Sequence, residues 1–405
     1  MNNRIVVTGL GMVSSIGIGK DIFWDNLIKG ESGISEITAF DTSKLDRHLG
    51  GEVKNFEPAD FISIKRAQII GRTSQFAIAA SRLALEDAKL EQKSLSGLKT
   101  SVCLGSTMGE IQALEKADHS WIKSGKDEKY IASLDVYKSL VNNISANVAV
   151  EFKLRGRNRM FTTACAAGNY AIGYGYDLLL AKQADLVIAG GADVFSWIVF
   201  TGFSKLGIIA PEKCQPFDKN RKGVIPGEGS GIIILETLAS ALKRNVPIYA
   251  EILGYGLSCG ANHMTNSCLE GVVECMRSAL ENTGILNNDV DYINAHGTGT
   301  INNDMTECLA INRIFNNRKV AVSSVKSMLG HTMGAASAIE AIACCLAIKN
   351  DIIPSTINYE TPDPVCDIDC VPNMARKQKV NIAINNGFAF GGNNVCLVLK
   401  KYKDC

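Results

Sequence analysis

"MFTTACAAGNYAIGYGYDLLLAK", residues 160–182, passes within a few positions from a short apolar, β-prone run to a block of small residues and then to a long helical pattern. Ala164, Ala166, Ala167 and Gly168 let the chain turn sharply from strand into helix without side-chain clashes. That turn carries Cys165. A cysteine at a helix N-terminus faces unpaired N–H groups and the positive end of the macrodipole, which favour the thiolate and predict a lowered thiol pKa. Taken alone, the segment supports either a nucleophile or an inert buried cysteine, the commoner fate of a single thiol.

Working outward, strand and helix signals alternate along the chain. Toward the N-terminus, "RIVVTGLGMVSS" reads as a strand followed by a glycine loop, and "TSQFAIAASRLALEDAKL" as an amphipathic helix with Phe76, Ala79, Ala80, Leu83 and Leu85 near one face. "KTSVCLGSTMG" is a further strand, and residues 111–150 read as helical excursions outside the core. Beyond Cys165, "ADLVIAGGADVFS" reads as a buried strand entering a Gly-Gly turn, and "GSGIIILETLASALKRN" as strand and helix. The second half repeats the alternation. "IYAEILGYGLSC" is a strand, and "CLEGVVECMRSALENTGI" a helix closed by Gly284. "DVDYINAHGTGT" and "KVAVSSVKSMLGH" are strands that end in loops, and "GAASAIEAIACCLAIKN" is a strongly apolar helix. "VNIAINNGFAFGGNNVCLVLKK" closes the chain as two strands around a glycine-rich loop. The pattern describes one integrated α/β unit of two similar halves, 1–252 and 253–405, with helices covering both faces of each sheet. "GLGMVSSIG" lacks the third glycine and the following helix of a dinucleotide fingerprint, so it reads as a structural turn.

Composition narrows the function. With 42 basic and 41 acidic residues the formal charge is +1, so no basic field argues for nucleic acid. No apolar run reads as a membrane span, and the N-terminus enters a strand without a signal-peptide pattern, which points to a cytoplasmic protein. The 13 cysteines are scattered, with no C-x-x-C pair, so neither structural zinc nor a disulfide framework is indicated and no metal or other cofactor is expected.

Only five histidines occur, and two of them end strand-like segments in small-residue loops: His296 in "INAHGTGT" and His331 in "SVKSMLGHTMGAASA". Lys326 precedes His331 by five residues, and Glu307 lies on the helix after His296, close enough in sequence to be a partner for it. With Cys165 on its strand-to-helix turn, the two histidines form a constellation. The "GFAFGG" loop adds a backbone N–H that can face an oxyanion.

The ordered set of motifs resembles the elongating, decarboxylating β-ketoacyl-acyl-carrier-protein synthases, nearest synthase II and the type II polyketide ketosynthases. It runs through "VVTGLGMVSSIG", "TACAAG", "GGAD", "PFDKNRKGVIPGEGSG", "INAHGTGT", "SSVKSMLGHTMGAA", "PSTINYETPDP" and "GFAFGGNN". The resemblance implies a thiolase-like five-layer αβαβα fold with two duplicated halves. It also implies a dimer, expected as a homodimer, with a heterodimer containing a chain-length-factor-like subunit as the other form. By position, Cys165 takes the acyl group from a phosphopantetheinylated acyl carrier protein. His296 and His331 serve malonyl decarboxylation, and Lys326, paired with Glu307, tunes the field around His331. Cys165 and Phe390 supply oxyanion-hole N–H groups, and Thr298 and Thr300 contact the phosphopantetheine arm. Phe390 gates an acyl pocket that Met108 lines. Lys65, Arg66 and Arg72, with Lys205 a weaker candidate, form a carrier-protein docking face. A thiolase would place a second cysteine in the glycine-rich loop, and synthase III an Asn at the position of His331. A chain-length-factor-like scaffold, the alternative function, would lack Cys165. Two departures stand out: Ala389 replaces the usual glycine before Phe390, which predicts a stiffer or re-aimed gate, and Gly260 replaces an Asp.

Overall fold

A computed structural model describes residues 4–316 and 318–403; Cys405 lies outside the described residues. The long apolar runs become ten strands: β1 (Ile5–Ser14), β2 (Thr100–Gly105), β3 (Asn158–Phe161), β4 (Leu186–Asp193), β5 (Gly229–Thr237), β6 (Ala250–Cys259), β7 (Tyr292–Asn294), β8 (Ala321–Ser323), β9 (Ile382–Phe388) and β10 (Asn393–Lys400). They run in the order β8-β7-β9-β10-β6-β1-β5-β4-β2-β3. The order reads as the same five-strand arrangement twice, joined where β1 meets β6 at Ile5–Val7. Directions repeat as well. The outer strands β2, β3 and β4 pair in parallel, as do β7, β8 and β9, and the inner pairs are antiparallel.

The main helices are α1 (Arg72–Asp87), α2 (Ala167–Leu180), α3 (Leu269–Thr283), α4 (Ile301–Ile314) and α5 (Ala336–Asn350). α1 covers the outer face of the first half, and α3, backed by α4, that of the second. α2 and α5 contact each other and strands of both halves, so they form the middle of five layers. This is the thiolase-like αβαβα architecture, and it explains why α5 is apolar all round: each of its residues from Ala336 to Ile348 is buried. The 18-residue stretch Met333–Asn350, with mean hydropathy 1.3, has the length and composition of a membrane span, yet here it is the core helix. The 252/253 position falls inside β6, whose first residues pair with β1.

Three local expectations change. The glycines of "TGLGM" do not form a loop; β1 runs straight through them. A Cβ at Gly9 would lie 2.1 Å from the Ala84 carbonyl oxygen of α1, and one at Gly11 1.8 Å from that of Ala80, so these glycines let a helix lie directly on the strand. β4 likewise continues through Gly190 and Gly191. Within 111–150, the helix Asn143–Glu151 buries Ile144 and Val148 in the core beneath α1 and β2, so this stretch is not all peripheral.

Candidate active site

Each middle-layer helix begins with the same device. A 3-10 turn, Ala164–Ala166, leads into α2, and another, Met333–Ala335, leads into α5. The first residue of each turn is non-glycine and left-handed: Ala164 at φ 47° and Met333 at φ 52°. Such strain persists only where surrounding packing over-determines it, and it concentrates at functional sites. In the first turn the second position is Cys165. Two residues before Met333, at the end of the other loop, is His331.

Folding brings Cys165, His296 and His331 together. One donor atom from each, the Cys165 Sγ and a nitrogen from each imidazole, lie within 4.8 Å of one another, all buried. The two imidazoles meet edge to face, with ring centroids 5.5 Å apart. They line a cavity of about 240 Å³ together with Thr298, Thr300, Phe203 and Phe390. The Thr298 and Thr300 hydroxyls share a hydrogen bond of 2.8 Å.

The histidines are held as neutral donors. Burial, and next the Lys326 ammonium, keep His331 well below the usual imidazole range, and the same two influences, followed by His331 itself, do so for His296. The Nδ1 of His331 accepts the Met333 N–H at 3.1 Å, so its proton sits on Nε2. His296 is fixed by its backbone: its N–H and that of Gly297 both donate to Glu307, each at 2.8 Å, and Asn386 adds a third donor at 3.1 Å. Burial pushes the Glu307 carboxyl up to about 7 against these three bonds.

Lys326 does not make the pair with Glu307 that the resemblance implies. Its ammonium is bonded to Glu340 on α5, and the two side chains are 1% and 2% exposed. Burial pushes the Glu340 carboxyl up to about 7, with Lys326 pulling it back. The reason is topological: Glu307 is used by the His296 loop, while α5 passes beside Lys326. Glu340 was missed, although a lone carboxylate in "SAIEAIACC" was its visible signal. Asp193, which follows the Gly-Gly of "GGAD", was missed too. Its buried carboxylate accepts the Ser106 hydroxyl and the N–H groups of Thr107, Met108 and Gly334, tying together the loop after β2 and the turn beside His331. Burial pushes it up to about 6.

The predicted low pKa of Cys165 is also corrected. Lys326 favours the thiolate, but burial outweighs it and holds the thiol up to about 12. Cys165 sits in the 3-10 turn ahead of α2, enclosed by the core, where desolvation of a charge exceeds the pull of a helix end.

The gate loop shows why Ala389 is tolerated. Ala389 has φ −111° and ψ 156°, extended backbone open to any residue. The left-handed positions are Gly391 and Gly392, at φ 79° and 78°, and both remain glycine. The amides around Phe390 are taken: Ala389 by Asn393, Gly391 by Met264 at 2.8 Å, and Gly392 by Ala389. Gly260 N–H donates to the Gly392 carbonyl at 2.9 Å, so the 260–267 loop braces the gate.

Other expected residues lie elsewhere. Met108 does not line the cavity; its side chain is 37% exposed, at the surface beyond β2. Arg72 is turned inward, bonded to Glu228 and the Val53 carbonyl with its guanidinium 4.6 Å over the Phe76 ring. Arg66 donates to Asn147 at 2.7 Å, while Lys65 and Lys205 are exposed.

The family pattern "Beta-ketoacyl synthase, N-terminal domain" matches residues 2–241, and "Beta-ketoacyl synthase, C-terminal domain" residues 249–360. A 3-oxoacyl-[acyl-carrier-protein] synthase 2 of Synechocystis sp. is 39% identical, over 99% of this chain and 98% of that protein. Among solved structures, the ishigamide ketosynthase/chain length factor superposes with a TM-score of 0.97 at 40% identity, covering 100% of both chains. A type II PKS ketosynthase in complex with its acyl-carrier protein and bound to the hexaketide superposes at 0.91 with 29% identity, again over 100% of both chains.

Proposed function

This chain belongs to the β-ketoacyl synthase family, and we propose on that footing how its own residues carry out condensation in fatty acid or type II polyketide synthesis. The observation that carries the reading is the convergence of the Cys165 thiol with two neutral imidazoles in one cavity. The Cys165 sulfur attacks the carbonyl of an acyl thioester on acyl carrier protein. The oxyanion forms against the N–H groups of Cys165 and Phe390, and the carrier thiolate leaves with the proton given up by Cys165. A malonyl thioester then enters, its phosphopantetheine arm along Thr298 and Thr300. Loss of carbon dioxide leaves an enolate whose oxygen is stabilised by the N–H donors of His296 and His331. Neutral imidazoles suit this task because they donate hydrogen bonds without protonating the carbanion. The enolate carbon attacks the acyl-Cys165 carbonyl, the C–S bond breaks, and the 3-oxoacyl thioester departs on the carrier.

The division of the chain near 252/253 serves this reading: the first half brings the nucleophile, and the second the two histidines, Lys326 and the gate. Lys65, with Lys205, offers cations to an acidic carrier. The protein acts in the cytoplasm as one member of a ketosynthase dimer. Two features favour a partner chain at the β3 side. β3 ends the sheet, paired on one edge only among the described residues, and Met108, expected in the acyl pocket, lies exposed beyond the neighbouring strand. The similarity to a ketosynthase/chain length factor structure supports a second form of that partner, a non-identical subunit.

The test is intact-protein mass spectrometry after incubation with acyl-carrier-protein thioester. The chain gains one acyl group, and Cys165→Ala gains none while keeping its melting temperature. His296→Ala and His331→Ala still acylate but lose condensation by roughly 10²–10³. Acylation that persists in Cys165→Ala removes the proposed nucleophile.

A further inference from the structure

The free edge of the sheet is strongly basic. Lys153, Arg155, Arg157 and Arg159 occupy alternate positions from the end of the Asn143–Glu151 helix into β3, and all four are exposed. None joins an ion pair among the described residues, and the carboxylate nearest in sequence, Glu151, is taken by Arg82 at 2.6 Å. β3 pairs with β2 from Asn158 to Phe161, and its other side carries no strand among the described residues. Exposed edges of this kind are templates for pairing with another chain.

The alternation of the strand fixes where these charges point. Met160 packs into the outer core beneath α1, and Asn158 accepts the Ser145 hydroxyl on that same side. Phe161 faces the middle layer, its ring 5.4 Å from that of Tyr174 on α2. Arg157 and Arg159 share the parity of Phe161, so they lie on the middle-layer face of the edge. Two identical β3 strands related by a two-fold axis pair antiparallel, and opposite residues then share a face. With the axis at Asn158, Arg157 of each copy stands opposite Arg159 of the other. With the axis at Arg159, the two Arg159 residues oppose each other, and at Met160 they fall on neighbouring diagonal positions. Like charges so placed destabilise a pair of strands, whereas opposite charges stabilise it.

We propose that this edge disfavours a second copy of the same chain and selects a different ketosynthase-like subunit whose facing strand carries carboxylates. The inference rests on the condensing reading above and goes beyond it by giving the partner's chemistry. It bears on the site because β3 ends four residues before Cys165: the chosen subunit would abut the loop that carries the nucleophile.

The test measures assembly of the full chain by sedimentation equilibrium at about 0.05 M and about 0.5 M salt, where screening differs several-fold in range. Alone, the protein self-associates more weakly at low salt than at high salt. The neutral variant Arg157→Gln/Arg159→Gln self-associates about tenfold or more tightly than wild type at low salt. An Arg157→Glu/Arg159→Glu variant mixed with wild type gives a 1:1 heterodimer, tighter than either protein alone and weakened by salt. A wild-type homodimer that is tight at low salt and indifferent to the Gln substitutions overturns the proposal. So does a Glu variant that leaves assembly unchanged but raises the KM for acyl carrier protein, which would make the edge a carrier-docking face. Acylation of Cys165 by a small acyl thioester is read on the same samples. Intact acylation with failed charge dependence refutes the partner assignment alone, and absent acylation in the wild type refutes the catalytic reading.

Discussion

Replacing Lys326 by Met and Glu340 by Gln, singly and together, separates what their ion pair does for folding from what Lys326 does for chemistry. Both side chains are almost wholly enclosed, at 1% and 2% exposure. Removing one partner of a buried pair leaves an uncompensated charge, at a cost of about 3–5 kcal/mol. Unfolding entropy near 60 °C is about 2.1 cal/mol/K per residue, or roughly 0.85 kcal/mol/K for 405 residues, so each single variant should melt about 4–6 °C lower. The double variant removes both charges and should recover most of that loss. Activity should behave differently. Lys326 holds down the proton affinity of Cys165, His296 and His331. Lys326→Met should therefore slow acylation and move the acid limb of the condensation pH profile upward, and the double variant should not restore either. Differential scanning fluorimetry and single-turnover acylation across pH make the comparison. A double variant as unstable as the singles would refute the pairing, and one with wild-type acylation would reduce Lys326 to a structural residue. Glu307→Gln combined with Lys326→Met supplies the control: without a shared pair, their melting losses should add.

Three further expectations follow from the same geometry. Because burial holds the Cys165 thiol up to about 12, its alkylation rate should rise about tenfold per pH unit from 7 to 9; a plateau above pH 7 would show that the helix end outweighs burial. Buried neutral histidines bind fewer protons folded than unfolded, so stability should rise with pH toward 6.5 and fall on acidification, and His331→Asn should flatten that acid limb in urea titrations at pH 5–7. Lys65→Glu should raise the KM for carrier protein without changing the melting temperature, whereas Arg72→Ala should lower the melting temperature, since its cation is committed to Glu228 and Phe76; equal effects of the two on KM would return Arg72 to the docking face.

Much of this was legible in the linear sequence because it depends on local chemistry. The strand-to-helix turn at Cys165, the strand-end positions of His296 and His331, the glycine-rich gate and the doubled alternation of strands and helices are all written in short windows. Tertiary structure decided what depends on which elements become neighbours. Glycines in "TGLGM" look like a loop until a helix is laid across them at contact distance. Glu307 is legible beside His296, whose backbone N–H it accepts, whereas the Lys326–Glu307 pairing that the resemblance implies gives way because α5 brings Glu340 to Lys326. The helix-end argument for a low Cys165 pKa holds for an exposed turn, and only the enclosing core reveals that desolvation is larger. Spacing along a chain reports chemistry that one segment can perform; pairing partners and dielectric surroundings are properties of the packed whole.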